Sequence, residues 1–143
     1  MNVVSLAGTG VLIVEDNFVV ADALRFLIDG HGGSVSALVP SLQRAFEALA
    51  DARVDIAVLD IDLNGTSVIP LAEHLRAHGI PFVFLSGYCD EELLPEHLRD
   101  HPRFDKPVEA DRLVRAMLDL TNLVSRAPER HPPPVQPPRA RKR

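Results

Sequence analysis

The chain has 143 residues, 46% of them hydrophobic and 24% charged, with a formal net charge of −5, a single cysteine and no tryptophan. That is the size of one domain with an aliphatic core, and one cysteine excludes a disulfide framework or a cysteine-based zinc cluster. No apolar run nears the roughly 18–20 residues of a membrane span, and residues 1–10 lack the basic start and long apolar stretch of a secretory signal, so a cytoplasmic protein is expected.

The charge is unevenly divided. Residues 126–143 hold Arg126, Arg130, Arg139, Arg141, Lys142 and Arg143 against Glu129 alone, which leaves nine basic and nineteen acidic side chains in residues 1–125. Pro128, Pro132, Pro133, Pro134, Pro137 and Pro138 are half of the 12 prolines and fall in the same basic stretch. An acidic globule followed by a basic, proline-rich extension is expected, the folded part being ill suited to broad phosphate-backbone contact.

In chain order, Val11-Leu12-Ile13-Val14 is a continuous apolar run ended by Glu15-Asp16. Val20, Leu24, Leu27 and Ile28 follow at helical spacing, stopped by His31-Gly32-Gly33. Val35, Ala37 and Val39 alternate, predicting a strand with one exposed side; Ser41 then caps a helix whose apolar face is Leu42, Ala45, Phe46 and Leu49. Ile56-Ala57-Val58-Leu59 is a second buried run, ended by Asp60. Val68, Leu71, Ala72 and Leu75 predict a third helix, with Pro70 in its first turn and Gly79 closing it.

The third apolar run, Phe82-Val83-Phe84-Leu85, ends in Ser86-Gly87. Residues 90–98 read as weakly helical, interrupted by Pro95. A minimal strand at Arg103-Phe104 leads to Lys106-Pro107, and a last helix carries Ala110, Leu113, Val114 and Met117 on one face. Runs apolar throughout are covered on both faces. The expectation is an α/β, flavodoxin-like, doubly wound five-stranded parallel sheet of order 2-1-3-4-5 with about five helices. Residues 1–9 are expected to be a flexible N-terminus, 10–124 the domain, and 125–143 a disordered, partly polyproline-like tail.

In such a sheet all strand C-termini lie at one edge, where these folds place their sites. Glu15, Asp16, Asp60, Ser86 and Lys106 stand at four of those ends, on strands that the order makes consecutive neighbours about 4.8 Å apart. Three acids so placed repel one another unless a hard cation joins them. Mg²⁺ suits two or three carboxylates plus a backbone carbonyl, with waters completing the shell. A hydroxyl and an ammonium opposite them complement the oxygens of a phosphoryl group, so the set holds a metal, a nucleophilic carboxylate and two phosphate donors.

With these motifs, VLIVED (11–16), VLDIDLNG (58–65), FLSG (84–87) and FDKP (104–107), residues 10–124 resemble the receiver domain of two-component response regulators. The resemblance implies that Asp60 is the phosphoacceptor for a histidine kinase or phosphotransfer protein. It implies that Asp16 and Asp60 ligate Mg²⁺, that Glu15 places it through water, and that the backbone carbonyl of Asp62 completes the set. Ser86 takes the place of the Thr/Ser that follows the phosphate, and Lys106 that of the lysine paired with it.

Two features depart from the chemotaxis-type (CheY-like) receivers. The aromatic switch position, three before the lysine, holds Arg103, and the interval from Asp60 to Lys106 is short. Both, with FLSGYC (84–89), partly resemble the subgroup named for a Phe-Ala-Thr-Gly motif followed by an aromatic, which makes Tyr88 a candidate switch or packing residue. Phe104, one place after Arg103 and on the opposite strand face, is read as core before switch. No output domain follows, so a stand-alone receiver is implied, without a DNA-binding domain. It would signal through an unknown downstream protein partner or a homodimer, or drain phosphate from a shared kinase.

Two other classes compete. A haloacid-dehalogenase-like phosphohydrolase would use Asp60 and Asp62, but Asn64 stands where its motif needs Thr or Val and two β/α units precede Asp60. A pseudo-receiver scaffold would need no acidic triad. The six histidines (His31, His74, His78, His97, His101, His131) are read as surface residues, Cys89 as a small hydrophobe, and Leu93, Leu94 and Leu98 as packing of a short helix.

Overall fold

The structure, a computed structural model, describes residues 5–87 and 93–126, with side chains through Leu123. The elements run β1 (Gly10–Val14), α1 (Phe18–Gly30), β2 (Ser34–Val39), α2 (Leu42–Asp51), β3 (Ile56–Asp60), β4 (Asp62–Leu63), β5 (Thr66–Ser67), α3 (Ile69–Ala77), β6 (Phe82–Ser86), β7 (Arg103–Asp105) and α4 (Ala110–Arg126). The main sheet is parallel, in the order β2-β1-β3-β6-β7. This is the expected flavodoxin-like order, once the two-residue strands β4 and β5 are set apart as a hairpin of their own.

The apolar runs of β1, β3 and β6 are buried end to end because successive side chains feed opposite cores. Leu12, Val14, Ala57, Leu59, Phe82 and Phe84 pack with α2 and α3, while Val11, Ile13, Ile56, Val58, Val83 and Leu85 pack with α1 and α4. Asn17 and Ser41 cap α1 and α2 by accepting from backbone N–H groups in the first turn. Among the described residues, no helix is long and apolar enough to cross a membrane.

Several details differ from the sequence expectations. The predicted one-sided alternation of β2 is broken by a register shift opposite Val11 and Leu12, which places Val35 and Leu38 on the α1/α4 core and Ala37 and Val39 on the α2/α3 core. Ser36 is the extra residue, its hydroxyl donating to Arg53 O at 2.7 Å. Residues 5–9, expected to be flexible, are tied down: Leu6 is fully buried and its N–H donates to His31 O at 2.7 Å. Four α-helices lie among the described residues, near the five expected; of the segment read as weakly helical, residues 90–92 lie outside the described residues and Glu96–Leu98 forms a 3₁₀ turn. Leu94 and Leu98 are core, whereas Leu93 is half exposed. His101, expected at the surface, is half-buried and stacks on Phe82 with ring centroids 4.2 Å apart; His74, also half-buried, meets Phe46 edge-on. The tail beyond Arg126, with His131, lies outside the described residues, as do Tyr88 and Cys89.

Candidate functional site

The direction in which strands are added to the sheet reverses at β1: β2 lies on one side of it and β3, parallel to it, on the other. A crevice opens outside the strand C-termini at such a switch point. Asp60 ends β3 there, and Glu15 follows β1 directly. Both are about 2% exposed, as buried as the aliphatic residues behind them. Exposed Asp16 completes a trio whose nearest carboxylate oxygens all lie within 4.8 Å of one another.

Lys106, just beyond β7, bridges the two buried acids. Its Nζ lies 3.1 Å from Asp60 Oδ2 and 3.1 Å from Glu15 Oε1. Burial opposes its charge, but the hydrogen bonds to Glu15 and Asp60 prevail and hold its pKa above the ordinary lysine value. Asp60 is less well served. Burial first, and then the Glu15 carboxylate beside it, push its pKa from 3.8 to about 7 against the pull of Lys106. Asp60 Oδ1 also accepts from Asp62 N–H at 3.3 Å.

Glu15 is held by a contact the sequence reading missed. Its Oε2 accepts from Asn17 N–H at 3.0 Å, while the Asn17 side chain caps α1. The cap-type residue directly before the helix was the available signal. Glu15 Oε1 is buried and receives no aligned hydrogen bond. The crowded trio and the raised Asp60 together fit a hard, oxygen-seeking divalent cation such as Mg²⁺.

The remaining candidates sort by position. Asp62 turns its carboxylate away from the trio to accept from Gly65 N–H at 2.8 Å, which leaves its backbone as the part available to a ligand. That turn belongs to the β4–β5 hairpin, where Asn64 (φ 55°) and Gly65 (φ +90°) both adopt the left-handed conformation that a two-residue hairpin turn requires. The Asn-Gly pair announces such a hairpin, and the sequence reading passed over it. Ser86 is buried at the end of β6 and its hydroxyl donates to Gly87 O at 3.1 Å. Arg103 is half-buried on β7, opposite Phe84. Phe104 packs in the α1/α4 core, as its strand face predicts.

Residues 11–118 match the response regulator receiver domain family. The chain is 34% identical over 83 residues to the transcriptional regulatory protein CseB of Streptomyces coelicolor, covering 57% of this chain and 35% of that one. It therefore spans about a third of that regulator's length. Among solved structures, SdrG from Sphingomonas melonis Fr1 superposes with a TM-score of 0.71 at 33% identity, over 78% of this chain and 95% of SdrG. The signal receiver domain of a modulated diguanylate cyclase from Desulfovibrio desulfuricans G20 gives 0.73 at 31% identity, over 81% and 95%. With the acidic trio, the bridging lysine and the strand order in place, this chain belongs to the response regulator receiver domain family.

Proposed function

We propose that the protein is a Mg²⁺-dependent phosphoacceptor, taking a phosphoryl group from a histidine kinase or phosphotransfer protein onto Asp60. The observation that carries this reading is a buried strand-end carboxylate, raised to about 7, facing an ammonium at 3.1 Å on one side and two further acids on the other. An Asp60 oxygen attacks phosphorus, the Asp60 O–P bond forms, and the donor's P–N bond breaks with its electron pair passing to the imidazole nitrogen. Asp16, Asp60 and the Asp62 carbonyl would hold Mg²⁺, with Glu15 reaching it through water, and the ion would supply the positive charge that lets the carboxylates and the phosphoryl oxygens share one volume.

Lys106 now spends its charge on Glu15 and Asp60, and Ser86 bonds the adjacent carbonyl. A phosphoryl group on Asp60 presents oxygens to the Lys106 ammonium, 3.1 Å from Asp60 Oδ2, and to the Ser86 hydroxyl at the end of the neighbouring strand. Drawing them inward repacks the loops after β3 and β6, and the changed surface is read by another protein or by a second copy of the chain. Where no partner reads it, the domain drains phosphate from a shared kinase, with at most slow autodephosphorylation.

Incubation with Mg²⁺ and acetyl phosphate tests it. One acid-labile adduct is expected, absent in Asp60→Asn and without Mg²⁺. Steady release of phosphate over many turnovers identifies a hydrolase instead, and no adduct at all identifies a scaffold.

A further inference from the structure

α1 and α2 both start on a side chain that accepts from first-turn N–H groups. Asn17 Oδ1 accepts from Val19 and Val20 at 2.9 and 3.1 Å, and Ser41 Oγ from Arg44 at 3.2 Å. α1 is distinguished by where the N–H of its cap residue goes. An N-cap N–H has no partner inside the helix, and where a Glu or Gln stands three residues on, that side chain takes it. In α1 that place holds Val20, which packs against the α1/α4 core and has no acceptor to offer. Glu15, two residues before the cap, takes the N–H instead, its Oε2 accepting at 3.0 Å.

That bond reaches a carboxylate that water does not orient, since the Glu15 side chain is 0% exposed. Its other donor is Lys106, whose Nζ lies 3.4 Å from Oε2 and 3.1 Å from Oε1. Lys106 is shared with Asp60 at 3.1 Å, so a phosphoryl group on Asp60 would compete for it. The Asn17 N–H belongs to the backbone and keeps its place whichever way Lys106 leans. Its direction follows from the extended conformation of residue 17 (φ −85°, ψ 114°), which the Oδ1 bonds to Val19 and Val20 hold against the start of the helix. Without that side chain the first turn frays and the N–H loses its aim.

We propose that Asn17 is a positioning residue of the metal site: by capping α1 it fixes the backbone N–H that holds Glu15, and so sets the affinity of the acidic trio for a divalent cation. The inference rests on the Mg²⁺-binding reading of those acids. Asn17 itself touches no ion, because its side-chain oxygen is spent on the cap. Glu15 held in this way stays in the volume where its ligand oxygen and those of Asp16 and Asp60 lie within 4.8 Å of one another. Groups that orient metal-binding residues typically change affinity by about 10–100-fold, and a contact made through the backbone belongs at the low end.

The test follows amide signals of the full chain through a Mg²⁺ titration in four forms: unaltered, Asn17→Ala, Asn17→Ser and Ser41→Ala. Asn17→Ala is expected to bind Mg²⁺ roughly tenfold more weakly. Asn17→Ser, which keeps a capping oxygen, is expected to restore the affinity to within about twofold. Ser41→Ala removes the corresponding cap from α2 and is expected to leave the affinity unchanged. Equal weakening by the two alanine variants would reduce Asn17 to an ordinary helix cap and overturn the proposal, as would unchanged affinity in Asn17→Ala or no rescue by Asn17→Ser. A metal-free measurement separates this inference from the reading beneath it. The residue-17 amide proton is expected downfield, as a donor to a carboxylate, and to move upfield in Glu15→Gln and in Asn17→Ala but not in Asn17→Ser. If the unaltered chain takes up no Mg²⁺, the phosphoacceptor reading falls and the affinity claim with it. If Mg²⁺ binds but the residue-17 amide ignores Glu15→Gln, only the positioning role falls.

Discussion

β3 contains two regions that are equally buried and physically opposite. Ile56, Ala57, Val58 and Leu59 are fully buried, and Asp60, the next residue, is about 2% exposed. The first four gain from leaving water; the fifth is held out of water with its pKa pushed to about 7 and an acid beside it. The body of the strand therefore supports a strand end that would not be buried for its own sake. A shell of aliphatic side chains on both faces makes a crowded carboxylate tolerable, and tolerance of that kind is what a metal and a phosphoryl group require.

The sharpest way to break this comparison is to mutate its two halves. Leu59→Ala is expected to lower stability in urea unfolding by about 2–5 kcal/mol, the range for a truncated core leucine. Asp60→Asn, one residue on, is expected to leave stability at pH 7.5 unchanged or to raise it by on the order of 1 kcal/mol, because Lys106 keeps Glu15 as a partner. Equal losses in the two variants would erase the distinction.

Between those residues lies a pH effect with a definite sign. In the metal-free protein Asp60 holds its proton up to about 7, whereas the unfolded chain releases it near 3.8. Between those values the folded state binds more protons, so stability falls as pH rises through the window. Thermal unfolding across pH 4–8 checks this; Asp60→Asn flattens the slope, and Mg²⁺, which favours the ionised trio, stabilises most at the upper end.

A smaller effect of opposite sign comes from the other layer. Burial against Phe82, helped by the charge of Arg76, lowers the pKa of His101 below its ordinary 6.5. There the unfolded chain binds more protons below 6.5, so this contribution fades as pH falls, and His101→Gln should remove only that acid-side decline. If Asp60→Asn and His101→Gln changed the slope on the acid side in the same direction, the separation of the two regions would fail.

Much of this was legible in the residues. Continuous apolar runs such as Val11–Val14 and Phe82–Leu85 admit few readings other than strands covered on both faces, and an acid, a hydroxyl or a lysine at the end of each marks one edge of one sheet. The Asn64-Gly65 hairpin and the Asn17 cap were legible too, from local chemistry alone. Other features were not. Nothing in Val35-Ser36-Ala37 announces that Ser36 is extra and that its neighbours change face, because that depends on what β1 presents opposite. Leu6, isolated among small and polar residues, has no periodicity to betray a fully buried side chain.

By itself the sequence determined the main strands and helices and the identity of the groups at the strand ends, since periodicity and strand-end position are properties of a chain read in one dimension. Only the tertiary structure decided how those groups share protons and charge. That Lys106 divides itself between Glu15 and Asp60, that Asp62 turns its carboxylate aside, and that α1 keeps Phe18 and Phe26 on its outer face are matters of distance and burial between segments far apart in the chain. Electrostatic and hydrophobic energies depend on those distances and areas, and the order of the residues does not contain them.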